Sequence, residues 1–125
     1  MTITVGQDFT FEKVAEPRES AAALGSGGLE VFSTPSLVAL FEVTAKRGVD
    51  ALLPEGHSTV GIEIQVKHQK ATRIGKKVRC TATVTAVEGR KISFSGEMWD
   101  EDGRIGVGTH TRCVVNDEEF LKRLG

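Results

Sequence analysis

Apolar and polar residues alternate along most of the chain beyond residue 57. Between His57 and Ala71, Val60, Ile62, Ile64 and Val66 share one parity and Glu63, Gln65 and Lys67 the other. That period of two is the mark of a strand with one buried face. Val78, Cys80, Ala82, Val84 and Ala86 repeat the pattern, Glu88-Gly89 supplies a hairpin turn, and Ile92, Phe94 and Met98 carry the returning strand. Asp100 to Gly103 turns the chain again, and Ile105 to Val115 forms a last long strand. Asn116, with Glu119 three residues on, fits a capping box for a short terminal helix.

The first part of the chain reads differently. Phe9 to Val14 alternates and predicts a first strand, whereas Pro17 to Gly28 ends in Gly25-Ser26-Gly27-Gly28 and predicts neither helix nor strand. A short apolar piece, Leu29 to Phe32, leads to Ser33-Thr34-Pro35, where Thr34 suits an N-cap and Pro35 the first helical position. Leu37, Val38, Leu40, Phe41, Val43 and Ala45 follow, with Gly48 as the expected terminator. A helix apolar on nearly every side is expected to be buried. One buried helix followed by a meander of long strands predicts an α+β fold, an antiparallel sheet of about four to six strands wrapped around one long central helix. A single sheet around one helix leaves apolar surface to cover, which predicts a homodimer or a dimer of dimers.

Composition narrows the partners. The 125 residues suit a single domain spanning 1–125. With 39% hydrophobic and 26% charged residues the composition is that of a globular protein. A net charge of −1 excludes nucleic-acid binding by bulk charge. No apolar run is long enough to span a bilayer, and the first residues lack the basic-then-apolar order of a secretory signal. Cys80 and Cys113 have no metal spacing and lie in strand-like runs, so the expectation is a reduced, cytoplasmic protein with two ordinary thiols.

Three residues stand out as candidate chemistry. Glu42 lies within Leu37-Val38-Ala39-Leu40-Phe41-Glu42-Val43, where a carboxylate is costly unless it is paired or functional. Desolvation there favours a general base or nucleophile, and a structural ion pair is the competing account. His68 shares the parity of Val60, Ile62, Ile64 and Val66, so its imidazole is expected to face the helix as an acid or base, or as a hydrogen-bonded core residue. Thr34 presents a hydroxyl at a helix start, as a simple cap or a catalytic group. Thr34, Val38 and Glu42 form one i, i+4 row, with about 12 Å of rise between its ends. The two could bracket a substrate carbonyl, with His68 or a partner subunit's residues between them.

Other signals are weaker. His57 and His110 lack this combination of features and read as background. Lys67, Lys70, Arg73, Lys76, Lys77 and Arg79 make a basic stretch that reads as a solvated face or a dock for phosphates. Gly103, Gly106 and Gly108 lie in a strand pattern with no helix following, which excludes a dinucleotide fingerprint. HExxH and GxSxG motifs are absent, and no metal or other cofactor is expected.

Together, Thr34-Pro35 with Glu42, the run Gly61-Ile62-Glu63-Ile64-Gln65-Val66-Lys67-His68, the hairpin Val87-Glu88-Gly89-Arg90 and the segment Gly108-Thr109-His110-Thr111-Arg112 resemble one family. It is the fluoroacetyl-coenzyme A thioesterase-like branch of the hotdog-fold thioesterases, and the resemblance runs from about Phe9 to Val115. It implies a hotdog fold, a dimer with sites near the subunit interface, and an acyl-CoA substrate. It also implies a catalytic set of Thr34, Glu42 and His68, with Gly61 and Arg112 supporting the site. The fluoroacetyl-specific member is aromatic just before the strand that leads to the helix. Here the segment reads Leu24-Gly25-Ser26-Gly27-Gly28, and glycines cannot supply a rigid apolar lid. The resemblance thus implies a thioesterase for a short-chain or otherwise undefined acyl-CoA. The rival readings are a non-catalytic acyl-CoA-binding or sensing module on the same fold, and a hydratase. The hydratase lacks an Asp-then-His arrangement on the helix.

Overall fold

The computed structural model describes residues 2–125. Its five strands are β1 (Asp8–Val14), β2 (His57–His68), β3 (Lys77–Glu88), β4 (Lys91–Asp100) and β5 (Gly103–Asn116). They form one sheet in the order β1-β3-β4-β5-β2, antiparallel throughout. β1 and β2 are therefore its edges. Helix α2 (Thr34–Asp50) lies against the sheet with Leu37, Leu40, Phe41, Thr44, Ala45 and Val49 buried. These side chains meet Val78, Cys80, Ala82, Val84, Ile92, Phe94, Met98 and Ile105 in one core.

Close approach of helix to sheet requires residues without side chains. A Cβ on Gly96 would lie 2.5 Å from the Phe41 ring, and one on Gly106 would lie 2.8 Å from Leu37 Cδ2. Gly48 has the same role from the helix side. It does not end α2, which continues to Asp50; a Cβ there would lie 2.1 Å from the ring of Phe9 on β1. The helix is also less buried than its composition predicts. Ala39 is exposed and Val43 is 38% exposed, because one sheet covers only one side of a cylinder.

The helix starts one residue earlier than the sequence suggests. Ser33, not Thr34, is the N-cap, and its hydroxyl oxygen accepts from the Ser36 N–H. Thr34 and Pro35 occupy the first two helical positions, so the Thr34 hydroxyl is released from capping. The preceding segment holds more structure than its glycines imply. A 3-10 turn (Pro17–Glu19) and a single helical turn, α1 (Ala21–Leu24), precede Gly25, which ends α1 in the left-handed conformation at φ 74°. Val31 bridges to Arg73 and Phe32 to Ser20. At the other end, the Asn116 side chain accepts from the Glu119 N–H and opens α3 (Asp117–Arg123), as expected.

β2 departs from simple alternation. Its register against β5 shifts between Gly61, opposite Arg112, and Glu63, opposite Thr111. Ile62 is the extra residue of this β-bulge and is 52% exposed. Before the bulge Thr59 is buried and Gly61 faces Glu42; after it Ile64, Val66 and His68 are the half-buried positions. Val60 and Ile62 thus do not share a face with Ile64. Gly61 and His68 lie an odd number of residues apart, which on a regular strand puts them on opposite faces. The bulge turns both toward the helix side of the sheet. The strand itself stops at His68 rather than Ala71.

Candidate active site

Two groups of polar side chains meet the exposed flank of α2. At the helix start, Thr34 Oγ1 lies 2.8 Å from His68 Nδ1. This contact exists because Ser33 has taken over capping and because His68 falls on the inward parity after the bulge. Burial pushes the His68 imidazole below its ordinary histidine value, with the Lys70 backbone working in the other direction. Its Nε2 is buried and has no hydrogen-bond partner among the described residues. A neutral imidazole against a hydroxyl can take up the hydroxyl proton. A cleft of about 360 Å³ opens beside the pair, lined in part by Ala21, Ser26, Val31, Lys70 and Ala71. Leu24 and Leu29, at 50% and 71% exposed, leave that cleft uncovered.

The second group surrounds Gly61. A Cβ built on Gly61 would lie 2.9 Å from Glu42 Oε2, 3.2 Å from His110 Cε1 and 3.5 Å from Arg112 Nη1. The three side chains converge on the space that glycine leaves. Glu42 is half-buried at the edge of the apolar stripe, not enclosed within it. Among the described residues its carboxylate forms no hydrogen bond and no ion pair within 4.0 Å, so the structural ion pair expected as an alternative is not formed.

Arg112 is only 5% exposed, and each of its three guanidinium nitrogens has a partner. Its Nε donates to Thr59 Oγ1 at 2.7 Å, its Nη2 to the Thr59 carbonyl at 2.8 Å and its Nη1 to His110 Nε2 at 3.0 Å. Thr59 donates in turn from Oγ1 to Asp50 Oδ1 at 2.7 Å. His110, 2% exposed, reaches the Glu63 carbonyl from Nδ1 at 2.8 Å. A carbonyl oxygen only accepts, so Nδ1 carries the proton and Nε2 accepts from arginine. Burial, then the Arg112 charge, hold His110 below its ordinary value against the Glu63 hydrogen bond and the Glu42 charge. Burial also lowers Arg112, while Asp50 and Glu42 oppose it. A neutral His110 and a charged Arg112 therefore form one rigid wall facing Glu42.

The expected residues thus fall into two clusters. Thr34 meets His68, and Glu42 meets Gly61 and Arg112; about 12 Å of helix rise separates Thr34 from Glu42. No hydrogen bond joins the clusters among the described residues. Sequence reasoning missed His110, Asp50 and Thr59. Two signals could have found them: His110 shares the parity of Arg112, and the i, i+4 row of Thr34, Val38 and Glu42 continues through Lys46 to Asp50. Lys46 and Asp50 pair at 3.1 Å.

A profile of the fluoroacetyl-CoA-specific thioesterases matches residues 16–118. The fluoroacetyl-CoA thioesterase of Streptantibioticus cattleyicolor is 34% identical over 93% of this chain and 88% of its own length. A mutant of the fluoroacetyl-CoA-specific thioesterase FlK, solved with fluoroacetate and CoA, superimposes with a TM-score of 0.89 at 34% identity, covering 94% of this chain and 99% of that one. A Thermus thermophilus member of the thioesterase superfamily superimposes with a TM-score of 0.88 at 25% identity, covering 98% and 93%.

Proposed function

Because the chain belongs to the fluoroacetyl-CoA-specific thioesterase family, we propose that it hydrolyses an acyl-CoA thioester to the free acid and CoA, with Thr34, Glu42 and His68 as its catalytic groups. The hydrogen bond between Thr34 and a neutral His68 beside an open cleft carries this reading. Thr34 Oγ1 attacks the thioester carbonyl as His68 Nδ1 takes its proton. The C–S bond breaks, and the proton passes to the departing CoA sulfur. Glu42 takes a proton from the water that then attacks the acyl-threonine, and the proton returns to Thr34 as the acid leaves. The helix start offers few donors for the oxyanion. Pro35 has no N–H, and the Ser36 and Leu37 N–H groups are bound to Ser33. Gly61, free of a side chain and beside Arg112, suits that task better.

The open cleft favours a short-chain acyl group over fluoroacetyl alone, since Gly25, Gly27 and Gly28 give no apolar cover. The separation of the two clusters favours a site completed across a homodimer. The β2 edge is free, and Val43 and Ile62 are exposed near it. A two-fold axis beside β2 would bring the Thr34–His68 pair of one protomer toward Glu42 of the partner subunit.

Thiol release from acyl-CoA esters running from acetyl to long chain tests the activity, and His68→Ala is expected to lower turnover by ~10²–10⁴-fold in a folded protein. Mixing inactive His68→Ala with inactive Glu42→Gln tests the shared site. Mixed dimers regain one intact site if the site is shared and none if each protomer holds its own.

A further inference from the structure

The basic stretch has no part in the chemistry above. No acidic residue lies between Glu63 and Glu88, whereas Lys67, Lys70, Arg73, Lys76, Lys77 and Arg79 all fall in that interval. In a chain of net charge −1 this is a local concentration of one sign. Two of the six are occupied. Lys76 pairs with Asp102 at 2.8 Å, and Arg79 lies 5.9 Å from the Trp99 ring centroid. Lys70 and Arg73 are exposed and form no ion pair among the described residues.

Their placement relative to the site is specific. Lys70 lines the cleft that holds Thr34 and His68. Val31 and Ala71 line that cleft and also the next groove, of about 520 Å³, which Leu29, Thr72 and Arg73 complete. The two depressions adjoin at these shared residues, in the order hydroxyl–imidazole pair, Lys70, Arg73. An extended chain of five residues, the separation of His68 from Arg73, spans at most roughly 17 Å. A pantetheine arm has a length of that order. Glu30 also lines the second groove and forms no ion pair with Arg73.

We infer that Lys70 and Arg73 bind the phosphates of coenzyme A, with the pantetheine arm lying across the adjoining grooves between Arg73 and Thr34–His68 and the Lys70 side chain reaching along it. The inference rests on the thioesterase reading and adds to it the residues that recognise the carrier rather than the acyl group. Coenzyme A bears a diphosphate and a ribose phosphate at one end, and the uncharged arm carries the thioester away from them. The grooves offer a matching order: the reacting groups at one end, Lys70 at the wall of the same cleft, and Arg73 at the far end.

Calorimetric titration with CoA and with pantetheine, on the wild type and on Lys70→Ala/Arg73→Ala, tests this, alongside KM and kcat for acetyl-CoA. The double variant is expected to weaken CoA binding and raise KM by roughly 5–30-fold, the loss of two exposed charge pairs. It should leave pantetheine affinity and kcat unchanged, and the difference should shrink at high salt. Lys122→Ala, a distant exposed cation, should match the wild type in every measurement. Equal CoA affinity in the wild type and the double variant overturns the assignment and leaves the thioesterase reading intact. A loss confined to thioesters whose acyl group bears a carboxylate, such as succinyl-CoA, overturns it too, because the cations would then serve the acyl end. A wild type that neither binds CoA nor hydrolyses any acyl-CoA ester overturns both readings.

Discussion

Adding one methyl group at position 61 separates the roles of packing and chemistry. The Cβ of Gly61→Ala would lie 2.9 Å from Glu42 Oε2 and 3.2 Å from His110 Cε1. One of these neighbours must give by a few tenths of an ångström. His110 is held by the Glu63 carbonyl and by Arg112, and it packs against Phe41 and Phe94 at centroid distances of 5.5 and 6.0 Å. Glu42 has no such tethers, so its carboxylate moves. A displacement of about 0.5 Å is at the edge of what a preorganised group tolerates, and a 1 Å misplacement costs about 10²-fold. We expect kcat for the best acyl-CoA ester to fall by roughly 10–100-fold. Stability should respond differently. Gly61 does not have a positive φ, so alanine fits its backbone. A compatible Gly→Ala change stabilises by about 0.4–1 kcal/mol through the unfolded chain. For a chain of this length that is an increase in Tm of roughly 2–4 °C, less the small cost of moving the carboxylate. Steady-state kinetics and a thermal melt on the same preparation check both halves. Unchanged kcat in a folded Gly61→Ala protein would refute the convergence of catalytic groups on this glycine. A fall in Tm of more than 5 °C with normal activity in the folded fraction would make Gly61 a packing residue.

Three further outcomes follow from the same geometry. Glu42→Gln should cost orders of magnitude in turnover and change Tm little, because the carboxylate has no ion pair to lose; a loss of several kcal/mol in a urea melt would contradict that account. Arg112→Met should destabilise by about 2–4 kcal/mol, since it leaves the Thr59 carbonyl and His110 Nε2 without their donor in a buried site, and denaturant melts would show it. His68 and His110 both titrate below their ordinary values, so the unfolded chain binds more protons than the native one. Stability is then full above a pH of about 6.5 and declines as pH falls below it toward the depressed native values. Urea melts at pH 7.5 and 5.0 should differ in that direction, and His110→Phe should weaken the dependence.

Much of this was legible in the alternation and the breaks. The strands, both hairpin turns, the long helix and Asn116 as the cap of the short terminal helix all follow from local rules whose signals lie within a few residues. Glu42 and His68 stand out because each places a polar group in an apolar pattern, and Thr34 because it offers a hydroxyl at a helix start. The illegible parts depend on contacts between distant segments. No local signal separates Ser33 from Thr34 as the cap; the partner His68, on another strand, explains why the threonine is left free. Gly48 looks like a helix stop until Phe9 is seen against it. The bulge at Ile62 is invisible to a period of two, which assigns His68 its inward face correctly and Gly61 its face wrongly. His110 reads as background because its one signal, a shared parity with Arg112, carries weight only once that arginine is seen to be buried.

The glycines that let Phe41 and Leu37 sit close to the sheet carry a consequence for how this protein can change over generations. Gly96 sets the depth at which Phe41 rests, and Glu42 is the next residue on the same rigid helix. Any side chain acquired at position 96 displaces Phe41 and, through the helix, the Glu42 carboxylate, so a site in the middle of β4 is tied to the geometry around Gly61 and, in the proposed mechanism, to the acid itself. Position 106 is bound in the same way through Leu37, near the helix start that carries Thr34. Drift in the core and drift in activity are therefore coupled in this architecture. A lineage that alters its acyl preference has more freedom in the open segment before the helix, where a Cβ on Gly28 would meet nothing within 4 Å, than in the sheet beneath it.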